Sequence, residues 1–153
     1  MNVLNRPTAF VAAALVACGA AAPAIATAAP APAPAGNAAT RLLKPPSGSQ
    51  QLKAAVVKGI TYRRYKISGQ TPKQVSTFYV QAWKNAGYTV HSGGGGGGWG
   101  PWGGSGAGAQ GHKGGHYLSV NAGARTSGPT YFEVCFGDNQ KLVNDCQNLL
   151  QNN

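Results

Sequence analysis

The chain has 153 residues, with thirteen Lys and Arg against three Asp and Glu, a formal charge of +10 and a pI near 9.9. That length has room for a single small domain, and three carboxylates leave little material for chemistry that pairs an acid with a base. A balance so far to the basic side bears on association with anionic surfaces and says nothing of fold.

The first segment, residues 1–28, has the parts of a secretory signal. Arg6 gives the positive start, and an apolar run extends from Ala9 to Ala22, too short to span a bilayer, which needs about 20 apolar residues. Pro23 ends the run. Small-x-small sites follow at Ala24-Ile25-Ala26 and Ala26-Thr27-Ala28, where a leader peptidase would cut. A second route uses the same residues: Leu15-Val16-Ala17-Cys18 resembles the lipobox of bacterial lipoproteins, which implies lipidation at Cys18 and a leader of 1–17. The mature chain is expected in the periplasm or outside the cell, or at a membrane if Cys18 carries lipid. Either route removes or occupies Cys18 and leaves Cys135 and Cys146, an even pair for which an oxidising compartment predicts a disulfide. Loss of Arg6 leaves twelve Lys and Arg facing Glu133, Asp138 and Asp145, a net charge of +9. For an exported bacterial protein that charge points to anionic lipid, lipopolysaccharide, wall polymer or extracellular nucleic acid, without specific nucleic-acid recognition.

Residues 29–50 are rich in Ala and Pro, then in Pro, Ser and Gly, and read as a semi-rigid spacer. The domain is expected over 51–153. Its first strand spans Ile60–Ile67, where the aromatics break strict alternation and suggest a bulge near Arg63 and Arg64. Thr71-Pro72-Lys73-Gln74 is a capping box with proline at the first helical position. Val75, Phe78, Tyr79, Ala82, Trp83 and Ala86 then form one apolar stripe, predicting a helix over 72–86 that Gly87 stops. Tyr88–Val90 reads as a short strand, and Tyr117–Ala122 and Thr130–Phe136 as a hairpin around the turn at 123–129. A second helix is expected over 139–150, capped by Asp138, with Cys146 on its apolar face; a Cys135–Cys146 bridge would staple it to the sheet edge.

The segment 92–116 reads as a flexible loop, with six glycines at 93–98 followed by Trp99, Trp102, His112 and His116. It lacks the Gly-Lys-Ser/Thr of a phosphate-binding loop. Trp99 and Trp102 are candidates for insertion at a membrane interface or for stacking on rings. His112 and His116 lie four apart, but Gly114 and Gly115 argue against a helix that would align them, and no metal or other cofactor is expected. Gly111-His112-Lys113 resembles a copper-binding tripeptide that needs a free amino terminus, which an internal position lacks. With Asp138 a cap and Asp145 on a helix surface, Glu133 stands alone, so no catalytic residues are assigned and no enzyme is expected. Arg63, Arg64 and Lys66 are the basic binding candidates, with Arg64 and Lys66 on one strand face and Arg63 on the other.

The stretch from Tyr62 to Val90, centred on TPKQVSTFYVQAWKNAGYTV, resembles a pattern found in small uncharacterised bacterial exported proteins and lipoproteins. The resemblance implies a strand-helix-strand unit and no activity. Together these readings give an α+β domain in the order β-α-β-(Gly-rich loop)-β-β-α. Its mostly antiparallel sheet has the 72–86 helix on one face and the C-terminal helix beside it. The expected function is an exported, non-enzymatic basic module on an anionic polymer or membrane surface. The alternative is an accessory subunit docking on another envelope protein.

Overall fold

Local turn chemistry divides the chain into short antiparallel elements. The computed structural model describes residues 35–93 and 104–149. Helix α1 (Ala35–Leu42) precedes strands β1 (Gln50–Val57) and β2 (Ile60–Ile67), helix α2 (Pro72–Asn85), and strands β3 (Thr89–Gly93), β4 (Ser105–Lys113), β5 (His116–Ala124) and β6 (Thr130–Gly137). Helix α3 (Gln140–Asn144) and a single 3-10 turn at Cys146–Asn148 follow. The fold is α+β, with one six-stranded antiparallel sheet in the order β1-β2-β6-β5-β4-β3.

The β1–β2 connection is two residues, Lys58 and Gly59, with φ of 51° and 79°. Two positive φ values twist a hairpin in the sense its strands require. In α2 the cap is as the sequence predicts: Gln74 N donates to Thr71 Oγ1 at 3.3 Å, and Thr71 N donates to Gln74 Oε1 at 2.8 Å. The buried stripe of α2 is turned about the helix axis from the expected one. Val75, Tyr79 and Trp83 are fully buried at four-residue steps, whereas Phe78, Ala82 and Ala86 are exposed. Pro72 and Ser76 are buried beside them and Val80 packs against the core, so the stripe keeps its width while its centre shifts away from Phe78.

Both sheet faces carry cores. Under α2 lie Tyr65, Ile67, Leu118, Val120, Phe132, Val134 and Phe136. On the opposite face Ile60, Tyr62 and Cys135 pack with Val143, Cys146 and Leu149 of the C-terminal segment. This removes the reason for a bulge at Arg63–Arg64: Tyr62 and Tyr65 face opposite ways because both faces are covered there, and β2 runs in regular register with β6. The irregularity lies in β1, between Gln51 and Lys53.

Four other expectations are corrected. Residues 35–50 are not wholly spacer: α1 forms, Ala39 and Leu43 are buried, and Trp83 Nε1 donates to the Leu42 carbonyl at 3.0 Å. Ala39 and Leu43, with Ala38 and Leu42 partly buried beside them, join the aromatic core under α2. The expected order lacked two strands: β1 precedes the Ile60–Ile67 strand, and β4 takes up part of the expected loop 92–116, its small residues pairing with β5 from Ser105 to Lys113. In place of one helix over 139–150 beside α2, the five-residue α3 and a separate 3-10 turn cover the face opposite α2, and α3 is capped by Asn139, whose side chain accepts from Leu142 N, and not by Asp138. The Cys135–Cys146 disulfide forms with Cα atoms 5.9 Å apart, but β6 is an interior strand, so the bridge fixes the segment at Cys146 over the middle of the sheet and not its edge.

Leu43→Ala, at the residue that follows α1, tests the place of the 35–43 segment in the fold. Removing a side chain 3 % exposed in the core under α2 is expected to lower unfolding free energy by about 2–5 kcal/mol. Urea denaturation reads this, and an unchanged midpoint would mean that the segment contributes nothing to the core.

Candidate binding face

Residues opposite one another across a ladder share a face, so the strand register fixes what the sheet presents on the side away from α2. A transverse row holds Lys53, Arg64, Glu133, Asn121 and Gly108, from β1 to β4. The next row towards one end holds Lys66, Tyr131, Gly123 and Gly106. Towards the other end come Tyr62, Cys135, Ser119, Gln110 and His91, and here the C-terminal segment covers the β2–β5 side. Ser119 Oγ, buried beneath it, donates to the Val143 carbonyl at 2.7 Å. The rows bearing Lys53, Arg64, Lys66 and Tyr131 lie beyond that cover, and Tyr131 is 45 % exposed.

Glu133 is the acidic member of this face. Its carboxylate lies 3.6 Å from Arg64 Nε, with its side chain 15 % exposed. Burial raises its pKa above the ordinary carboxylate value, opposed by the Tyr62 hydrogen bond and by Arg64. Burial, then the nearby Glu133 charge, push the Tyr62 phenol well up, so it stays protonated and donates to the carboxylate. Arg64 is about half exposed, and an ion pair at such a surface stabilises by little. Its half-exposed guanidinium is accessible to a ligand.

The candidate residues from sequence are thus separated. Arg64 and Lys66 share the open face as expected, and Lys53 joins them from β1. Arg63 points to the other side, its Nη1 donating to the Tyr62 carbonyl at 3.2 Å. Trp99, Trp102, Cys18 and the leader with its two processing routes lie outside the described residues. His112 and His116, neighbours in sequence, are parted by the Gly114–Gly115 turn onto opposite faces. His116 instead meets Asp138, Nδ1 to Oδ1 2.5 Å, and lies against Phe136. His91 and His112 come together, ring centroids 6.1 Å apart. Sequence reading passed over Tyr131, although its signal was present: with Phe132 inward, strand alternation turns Tyr131 outward.

No family model, curated protein or solved structure matches the chain. Among the described residues no three of His, Cys, Asp and Glu gather as metal ligands, and no helix is long and apolar enough to cross a membrane.

The raised Glu133 pKa has a signed consequence. A carboxyl that holds its proton more tightly when folded makes stability fall as pH rises from the ordinary carboxylate value through the folded value, and level off above it. Glu133→Gln removes that dependence. Relative to wild type, the variant is expected to gain stability across that window and to show a constant difference below it. Urea midpoints between pH 4 and 7 read the effect, and parallel profiles for the two proteins would contradict it.

Proposed function

We propose that the protein is an exported, non-enzymatic basic module that holds an anionic envelope component (a membrane surface, lipopolysaccharide or wall polymer) against the open face of its sheet. The carrying observation is that Lys53, Arg64 and Lys66 share one face, which no described residue covers there, beside exposed Tyr131. Arg64 and Lys66 stand two strand steps apart, about 7 Å, and Lys53 faces Arg64 at about 5 Å. Such a grid meets successive negative groups of a flat or extended ligand. Export rests on the leader-like segment and agrees with a Cys135–Cys146 disulfide, which persists in oxidising compartments. If Cys18 is lipidated, the segment before α1 is a tether; if the leader is cut at 26 or 28, it is a tail.

At about 1 kcal/mol for each cation close to an anionic membrane, three cations supply roughly 3 kcal/mol. Replacing Lys53, Arg64 and Lys66 by Ser is then expected to weaken binding to anionic vesicles, lipopolysaccharide or wall polymer about 100-fold at low salt. The control removes equal charge from the helix side, at Arg41, Lys73 and Lys84, all exposed. Equal losses in both variants would reduce the effect to net charge and remove the face from the proposal. Absence of wild-type binding at low ionic strength, where charge attraction is least screened, would remove the function.

A second reading, docking on another envelope protein, is favoured by β1. This edge strand is exposed along most of its length, with Leu52 43 % and Val56 70 % exposed. The irregularity at Gln51/Lys53 and the Lys53 charge are also devices that blunt an edge against nonspecific pairing. A photo-cross-linker at position 56 is expected to trap one defined envelope protein that a linker at position 81 of α2 does not. Adducts from both positions alike would count against an edge-specific partner.

A further inference from the structure

We propose that His91 and His112 form a two-imidazole site for a divalent transition-metal ion at the β3–β4 edge of the sheet. The residues are 21 apart in sequence, and the ladder joins them: His91 lies opposite Gln110, so His112, two residues further along β4, is its diagonal neighbour on the same face. Their ring planes are 10° from parallel with centroids 6.1 Å apart, both side chains are exposed, and neither ring hydrogen-bonds to a described residue.

Distance decides whether this pair can chelate. With metal–nitrogen bonds of about 2.0–2.1 Å, two imidazoles on one ion place their centroids roughly 4.5–5.2 Å apart at bond angles between square-planar and tetrahedral. The observed separation exceeds that by about 0.9–1.6 Å, a closure that the site asks of rotation in two exposed side chains. Water would fill the remaining positions. Imidazole suits Cu²⁺, Ni²⁺ and Zn²⁺, and among these a two-nitrogen site holds Cu²⁺ most tightly.

The protein's positive charge does not forbid a cation here. Arg64 on β2 and His112 on β4 are separated by β6 and β5, three strand spacings or roughly 14 Å. That exceeds the screening length of about 8 Å at physiological ionic strength. The Lys113 ammonium, next in sequence, is turned to the other face, where it donates to the Ala86 carbonyl at 2.8 Å. The site is independent of the basic face, so either can fail without the other.

The test is titration of the full chain with Cu²⁺ in a buffer without chelating components, followed by calorimetry and by electron paramagnetic resonance. One equivalent is expected to bind with a dissociation constant on the order of micromolar, with a spectrum showing two nitrogen ligands. His91→Ala and His112→Ala should each weaken this at least tenfold, and His116→Ala should leave it unchanged. Circular dichroism of each variant separates a lost ligand from a lost fold. The proposal is overturned if wild type binds no tighter than millimolar, if the His91→Ala/His112→Ala double variant binds as wild type does, or if the loss follows His116.

Discussion

The buried indole of Trp83 is the contact around which the helical side of the protein is organised. It has no exposed surface, and its single donor is satisfied by the Leu42 carbonyl at the end of α1. A buried indole N–H without a partner would be costly, so this bond ties α1 to α2 as well as satisfying the ring. Below it, position 111 of β4 has no side chain, and a Cβ there would already stand 3.4 Å from Trp83 Cε3. The helix can therefore sit close on β4, while Tyr79 extends the aromatic layer to Phe132 and, through that ring, to Tyr65.

The opposite face is held differently. Its apolar area is small, centred on Ile60, Tyr62 and Cys135, and a five-residue helix with one 3-10 turn has little intrinsic stability. The Cys135–Cys146 bridge holds that segment in place by closing a short loop, which in the chain-entropy account is worth about 3 kcal/mol. Because the cover reaches only part of the face, the remaining rows stay uncovered by described residues. The proposed binding surface is what a short C-terminal cap leaves over.

The antiparallel order explains why histidines and cations group as they do. Lys53 and Arg64 meet across a tight hairpin, whereas His91 and His112 meet only because β3 returns beside β4. Of the three carboxylates, Glu133 pairs with Arg64, whereas Asp138 and Asp145, engaged by His116 and the Asn148 side chain, line one surface cleft around α3.

Much of this was legible in the residues themselves. The Thr71–Gln74 capping box, the inward alternation of Phe132, Val134 and Phe136, the opposed faces of Arg63 and Arg64, and the Cys135–Cys146 pairing rest on local periodicity and parity, which do not need a partner to be named. Helix α1, strand β4 and the His91–His112 pair were not legible. The apolar content of α1 becomes sufficient only against the core under α2; the Gly- and Ala-rich β4 has weak strand propensity and is held by pairing with β5; and the histidine pair is a property of register. Local sequence determined which faces are apolar and where the chain turns, while the tertiary structure decided which of those faces are covered, because burial depends on what packs against them.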